Sequence, residues 1–481
     1  MASKTFQEEY ESIGTFLVLE LLALVSFGLG GVSLIFQFAG FIIALVATFF
    51  AFKNYSKEDL KPIALIAVPL LLMSIFTSFG KFFESYNILA KLGSFLSLIS
   101  FLAIGLSARR LKSFSTKNAI LCIGGGLALV TLVSSVSTWV QYGLFYPLIH
   151  KNAANYYYDG NLYSILNEMS WLNGFKFEEV SQNYGGLFAL LCACMLAGLL
   201  YVKPKEDKVM FISLAVIGGI GLISILSIPN FYALVFFVIA FLGALYYRFL
   251  KDNKIANNIL KYALLVVVGI VVVMVVVAML NVSAEGVHNF IANSSFMNRI
   301  FNSNRIMILV NPILEAALKP FNLFGINTTQ YINGYKIPDS AILSSTGVFE
   351  VEIIKEGGII AFILFIVFAF FAYESFGRYL RKSKDADYVK VIFLTLLLGF
   401  IFYSTLCSDV FPVTHNETAY YPFTRSLPFF VMIFIIGYTI LPDGKEEITY
   451  ASGPVESEKK EKKEVIDDDY SFDDVKEEEI I

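Results

Sequence analysis

Four charged residues and one histidine in the second half of the chain have types that could do chemistry together. Arg299 and Arg305 precede an amphipathic stretch, Glu352 and Glu356 follow it, and His288 comes before all four. Guanidinium groups bind anions, and carboxylates and histidines accept protons. Glu352 and Glu356 are four residues apart, a spacing that places two side chains on one face of a helix. These five residues are the first candidates for a functional site, provided that the surrounding elements bring them together.

Two predicted helices would position these candidates. Between Asn304 and Lys319, apolar residues recur with the period of a helix, at positions 306, 309, 310, 313, 314, 317 and 318. Pro312 interrupts the pattern in a way that suits the first turn of a new helix, and Pro320 ends it. A second helix is predicted to begin near Ser345 or Thr346, either of which can cap its first turn. That helix is predicted to run into the next apolar stretch.

The composition indicates the environment of these helices. Of the 481 residues, 57% are hydrophobic and only 16% are charged, whereas soluble domains average about 45–50% and about 25%. The run Leu264–Leu280 carries no charge, and a helix needs about 20 apolar residues to cross a bilayer. These features exclude a soluble enzyme, a secreted disulfide-rich module and a nucleic-acid-binding domain. The predicted fold class is all-α, a polytopic bundle of transmembrane helices.

Hydropathy predicts about twelve membrane spans. Their approximate bounds are 14–31, 32–52, 62–80, 90–108, 119–140, 184–202, 209–226, 231–247, 262–281, 358–376, 391–408 and 426–442. The intervening loops 53–61, 109–117, 203–208, 248–261 and 377–390 hold 19 Lys and Arg residues, whereas the opposite loops are longer and hold fewer. Because positively charged loops stay in the cytoplasm, both termini are predicted to be cytoplasmic.

This topology divides the chain into four parts. Residues 1–281 would form an N-terminal membrane bundle with spans one to nine and an external loop at 141–183. A large helical external loop would occupy 282–357, and the last three spans would lie in 358–442. The tail 443–481 has a net charge of −9, against +5 for the rest of the chain. It contains few apolar residues and is predicted to be disordered and cytoplasmic.

The predicted external segments are 141–183, 282–357 and 409–425. They contain all three histidines of the chain, and loops longer than about 15 residues are usually functional or disordered. Aromatic clusters and helical patterning argue against disorder, so function is predicted on the external face. Further candidates for substrate binding there are His150, Lys151, Lys319, His415 and Arg425.

The large external loop contains an ordered set of motif residues. An arginine opens a loop helix, a proline ends it, an apolar turn ends in glycine, and a Glu-x-Gly begins the next span: Arg305, Pro320, Gly325, Glu356 and Gly358. The order and spacing of these five residues resemble the motif of the bacterial O-antigen ligase and O-antigen polymerase family. That family also has a large external loop before a late span. Ligases of that family carry a His-Asn pair where this chain has Gly347-Val348, a difference that favours the polymerase branch.

The resemblance implies a glycosyltransferase of the bacterial cell membrane. It would join undecaprenyl-diphosphate-linked oligosaccharide repeat units into capsule, exopolysaccharide or O-antigen at the external face. Because the leaving group would be a lipid diphosphate, Arg305 and Arg299 are expected to bind phosphate. Glu356, Glu352 and His288 are the candidates for the general base that the acceptor hydroxyl needs. The bilayer, a flippase and a chain-length regulator are the other implied partners, and no nucleic acid is expected.

Other interpretations stay open. A ligase would transfer finished polysaccharide to another acceptor. A flippase or transporter would move the glycan across the membrane, and Glu20, inside the first predicted span, favours this class. The arginines could instead anchor lipid headgroups, and the glutamates could form a solvated helix face. No metal or other cofactor is expected, because the external segments lack Asp-x-Asp, and Asp385-Ala-Asp387 lies in a predicted cytoplasmic loop.

Overall fold

Apolar runs become helices in this chain, because a helix satisfies its backbone hydrogen bonds internally. The computed structural model describes residues 22–23, 25, 34–51, 57–79, 98–106, 108–109, 116–142, 189–227, 231–250, 253–301, 310, 312–314, 316, 331–332, 335–336, 349–404 and 422–441. The predicted first span, apart from three residues, lies outside these ranges. So do residues 143–183 of the first external loop, half of the second external loop 282–357 and the acidic tail.

The helices with defined bounds are numbered in chain order. They are α1 Leu34–Ala51, α2 Leu60–Phe79, α3 Thr116–Tyr142, α4 Lys208–Ser227, α5 Phe231–Phe249, α6 Lys254–Ser283, α7 Glu285–Ala292, α8 Ser295–Phe301, α9 Phe349–Lys382, α10 Asp387–Ser404 and α11 Pro422–Ile440. Single 3₁₀ segments lie at Lys57–Asp59 and Met195–Leu200. Two antiparallel strands, β1 Tyr331–Ile332 and β2 Tyr335–Lys336, pair Tyr331 with Lys336 and Ile332 with Tyr335.

The helical class predicted from the sequence is confirmed. Helices α1 to α6 and α9 to α11 each lie where hydropathy predicts a span, with most ends shifted by a few residues. Among the described residues, three helical stretches are long and apolar enough to cross a membrane: Leu60–Thr77, Lys208–Ile225 and Gly357–Lys382. A fourth would be the bent pair Val272–Asn281 and Glu285–Ala292. These apolar helices are compatible with a membrane protein.

Small residues allow neighbouring helices to approach closely, as is usual for helices in membranes. Gly105, in the helical residues 98–106, faces α11 so closely that a Cβ atom there would overlap the carbonyl oxygen of Phe434. Likewise, a Cβ atom on Gly437 of α11 would lie 2.8 Å from the carbonyl oxygen of Leu102. The two backbones therefore cross through a pair of glycines.

We expect the replacement Gly105→Ala to destabilise the protein, because the new methyl group meets backbone that cannot rotate away. Overpacking of this kind costs about 1–3 kcal/mol, which should lower the unfolding temperature of the detergent-purified protein. Gly219→Ala in α4 is the matched control, since nothing lies within 4 Å of its Cβ position. Equal unfolding temperatures for the two variants would contradict the close crossing.

A buried ion pair joins distant parts of the chain at the C-terminal end of α9. The Arg109 guanidinium donates through Nη1 to Asp385 Oδ2 at 3.1 Å, and the two side chains are only 6% and 13% exposed. Tyr379 donates its hydroxyl to the same Asp385 oxygen at 2.6 Å. The guanidinium also lies over the rings of Tyr379 and Tyr438, 5.4 and 5.0 Å from their centroids, and donates to the carbonyl of Leu441.

Further contacts join the loops predicted to be cytoplasmic. Lys117 forms an ion pair with Asp207, and this hydrogen bond lowers the pKa of the Asp207 carboxyl below its ordinary value. Arg248 donates to the carbonyl of Leu200 and lies over the ring of Tyr201. Together with the Arg109 cluster, these contacts gather four of the five basic loops at one end of the helices.

Candidate functional site

The segment 349–357 of α9, which we call the short arm, precedes a kink at Gly358. That glycine has φ 74° and ψ −174°, a backbone conformation that glycine alone adopts readily. The predicted helix is therefore interrupted where it was expected to run into the span. Next to the kink, a Cβ atom on Gly357 would lie 2.8 Å from Cγ2 of Thr77 in α2, so the missing side chain lets α2 approach.

Aromatic rings fix the start of the short arm. The ring centroid of Phe349 lies 5.6 Å from that of Phe365, beyond the kink. It lies 6.1 Å from Phe400 in α10 and 5.6 Å from Phe429 in α11. Aromatic pairs contribute about 0.5–1.5 kcal/mol each beyond their buried area. The short arm is thus held against α10 and α11 at its start and against α2 at its end.

Part of the predicted loop helix packs on the short arm. Residues 310, 312–314 and 316 are helical, as the sequence predicts for those positions. Ala316 is buried against Ile354 of the short arm. On its other side, this stretch joins an apolar cluster from the ends of α6, α7 and α8, formed by Val310, Leu314, Ala278, Ile291 and Phe301. The contact joins Ala316 of the predicted loop helix to the short arm, on which Glu352 and Glu356 lie.

Two charged residues of the short arm that the sequence analysis did not select are withdrawn from water. Lys355 is only 4% exposed. Glu350 is half-buried, and burial raises the pKa of its carboxyl above the ordinary value, although its own backbone N–H donates to it. Their charges were visible in the sequence, but their burial depends on contacts with helices far along the chain.

Glu352 and Glu356 both lie on the backbone of the short arm. At about 100° per residue, these two positions are about 40° apart around the helix, so the predicted shared face agrees with the helical backbone. Lys355 occupies the neighbouring direction, about 60° from Glu352. The positions of Glu352, Lys355 and Glu356 therefore lie within about 100° of one another around the helix.

His288 lies in α7, directly after the bend that follows α6. Its Nδ1 is 3.2 Å from Oδ1 of Asn281, and Nδ2 of Asn281 donates to the carbonyl of Phe301 at 3.3 Å. This chain of hydrogen bonds ties the ends of α6, α7 and α8 together. His288 thus has a structural role next to the apolar cluster described above, and its role as a general base stays a prediction.

The remaining candidates are placed only in part. Arg299 lies on the backbone of α8 and Arg425 on the backbone of α11. The other five lie outside the described residues: Arg305, Lys319, His150, Lys151 and His415. Asp385 of the Asp385-Ala-Asp387 sequence is paired with Arg109 at the opposite end of α9. Within the described ranges, no three His, Cys, Asp or Glu side chains are placed to share a metal ion.

Comparison with known proteins gives no match. No protein-family model matches the chain, and no curated protein is significantly similar to it.

Proposed function

We propose that the chain is a membrane glycosyltransferase that polymerises undecaprenyl-diphosphate-linked oligosaccharide repeat units. The packing of Ile359 and Phe362 against the cluster of Ala316 and Ile354 is the observation that supports this most. Ala316 lies in one of the two stretches that resemble the O-antigen polymerase and ligase family, and Ile359 and Phe362 lie in the other. A phosphate-binding arginine and a carboxylate base must lie close together for such a reaction. The proposed protein has about twelve spans, of which the described helices form part.

The distance between the two ends of α9 supports a functional site at the external surface of the membrane. Gly358 and Tyr379 are separated by 21 residues, which is about 32 Å along a helix and close to the thickness of a bilayer core of about 30 Å. The Arg109 cluster and its basic loops lie at the Tyr379 end. If those loops are cytoplasmic, the short arm lies at the external surface, where lipid-linked repeat units would be joined.

In the proposed reaction, an acceptor hydroxyl attacks the anomeric carbon of the donor sugar. The new glycosidic C–O bond forms while the bond from that carbon to the diphosphate oxygen breaks, and the lipid diphosphate leaves with the electron pair. Glu352 or Glu356 takes the proton of the acceptor hydroxyl. Arg305 and Arg299 bind the leaving diphosphate, whose negative charge develops during the reaction.

The size distribution of lipid-linked glycans after deletion of the gene tests this function. We expect single lipid-linked repeat units to accumulate and long chains to disappear. Long lipid-linked chains that fail to reach their acceptor would indicate a ligase instead. Short units confined to the cytoplasmic leaflet would indicate a flippase, and both of these results would overturn the proposal.

Deletion of residues 452–481 should leave polymer synthesis largely intact, because every described helix lies before this part of the tail. Its acidic, apolar-poor composition is typical of a solvated segment. The measurement is the yield and length of polymer per inserted protein in cells with the truncated chain. Complete loss of polymer at normal protein levels would give the tail a functional role.

A further inference from the structure

Helix α6 is long enough to cross a membrane without the helix that follows it. The predicted span 262–281 covers about 30 Å along α6, which equals the thickness of a bilayer core. The large exposed side chains of this span suit a surface that faces lipid, and they include Leu265, Val266, Ile270, Val273, Val276 and Leu280. The bilayer core would therefore end close to Asn281, and α7 begins only four residues later.

A sharp bend turns α7 across the end of this span. The chain bends by 105° between Val272–Asn281 and Glu285–Ala292, which is 15° more than a right angle. The hydrogen bonds from Asn281 to His288 and to the carbonyl of Phe301 hold the bend in place. When α6 lies along the membrane normal, α7 therefore runs nearly parallel to the membrane plane, at the level of the lipid headgroups.

The two sides of α7 differ in character. Val287 and Ile291 pack in the apolar cluster at the ends of α6, α7 and α8. Phe290 lies about 60° from Val287 around the helix, yet its side chain is 66% exposed. Glu285 and Asn289 are exposed too, about 140° and 100° away from Phe290. An exposed phenylalanine between an apolar and a polar side is typical of a helix that lies in the interface of a bilayer.

Helix α8 carries a second exposed phenylalanine. Phe296 is 72% exposed, whereas Phe301 at the end of α8 is buried in the same apolar cluster as Ile291 of α7. Contact of such large apolar side chains with water is unfavourable. Because α7 and α8 are joined to the end of a lipid-facing helix, lipid is the apolar partner within reach of both exposed rings.

We propose that residues 285–301 form an interfacial elbow, in which α7 and α8 lie on the membrane and insert Phe290 and Phe296 among the lipids. Glu285 and Asn289 face the water. The partner is the bilayer surface on the side where α6 ends, and the elbow holds the start of the large loop against it. This inference concerns membrane contact alone and does not depend on the proposed polymerase activity.

Tryptophan fluorescence of the full-length protein tests the elbow. The chain has two tryptophans, Trp139 and Trp171, and replacing both by phenylalanine gives a background for Phe290→Trp or Phe296→Trp. Each protein would be reconstituted in phosphatidylcholine vesicles with bromine on the acyl chains, either near the headgroups or near the bilayer centre. Because an interfacial helix inserts about 5–10 Å into the boundary of headgroups and acyl chains, bromine near the headgroups should quench each new tryptophan about twofold or more. Bromine near the centre should quench it less.

Asn289→Trp is the matched control on the same helix, and iodide in the water should quench it more than brominated lipid does. Stronger quenching of Phe290→Trp by bromine near the bilayer centre would show that α7 enters the core, and would overturn the proposal. Quenching of Phe290→Trp by iodide alone would leave the rings for a soluble partner and would also overturn it. Equal lipid quenching of Phe290→Trp and Asn289→Trp would contradict the orientation of α7. If the background chain fails to fold, the same comparison is made as a difference from the chain that keeps both native tryptophans.

Discussion

Replacing Arg305 by alanine should abolish polymer formation while the protein is inserted at normal levels. The leaving diphosphate develops negative charge, and loss of one group that stabilises such charge typically costs about 10²–10³ in kcat. Arg305→Lys keeps the charge but loses bidentate geometry, so it should restore activity only in part. Phe301 and Val310, on either side of Arg305 in the sequence, pack in one apolar cluster.

The measurement is polymer yield in cells that express each Arg305 variant, normalised to the amount of membrane-inserted protein. Arg381→Ala serves as the control, because Arg381 is exposed at the C-terminal end of α9. Full activity of Arg305→Ala would remove this residue from the mechanism. It would also weaken the argument from the resemblance to the polymerase family, because Arg305 is one of the motif residues on which that resemblance rests.

Replacing Arg109 by alanine should destabilise the protein more than the overpacking change Gly105→Ala. The change leaves Asp385 without its buried counter-charge, and breaking such a pair costs about 3–5 kcal/mol. It also removes the contacts of the guanidinium with the rings of Tyr379 and Tyr438. The unfolding temperature in detergent should fall well below that of Arg381→Ala, which changes an exposed arginine.

A companion variant distinguishes the ion pair from simple loss of volume. Asp385→Asn removes the negative charge without changing the size of the side chain, so Arg109→Ala combined with Asp385→Asn should be less destabilised than the sum of the single changes. Equal unfolding temperatures for Arg109→Ala and Arg381→Ala would show that the Arg109 cluster contributes little to stability.

Hydropathy predicts the helices well because each apolar run is both long and uninterrupted. The predicted spans 32–52 and 391–408 lie within a few residues of α1 and α10. The kink at Gly358 could not be read in the same way, since a glycine within an apolar helical pattern is often tolerated. In the folded chain the kink lies next to the close approach of Gly357 to Thr77, a contact between residues that are far apart in the chain.

The sequence predicts those features of the candidate site that depend only on the separation of residues along the chain. The four-residue separation of Glu352 and Glu356 places both on one helical face whatever surrounds the arm. By contrast, the burial of Glu350 and Lys355 depends on distant helices, and so does the pairing of Arg109 with Asp385, 276 residues away. His288 illustrates the same limit, because its hydrogen bond to Asn281 requires the bend after α6.

Reconstitution of the purified full-length protein tests the central claim most directly. Proteoliposomes would be supplied with single undecaprenyl-diphosphate-linked repeat units isolated from cells that lack the gene, and both glycan length and free undecaprenyl diphosphate would be measured. We predict a ladder of longer lipid-linked chains, with one lipid diphosphate released for each new glycosidic bond. Repeat units that stay single, with no lipid diphosphate released by an intact protein, would contradict the proposed polymerase.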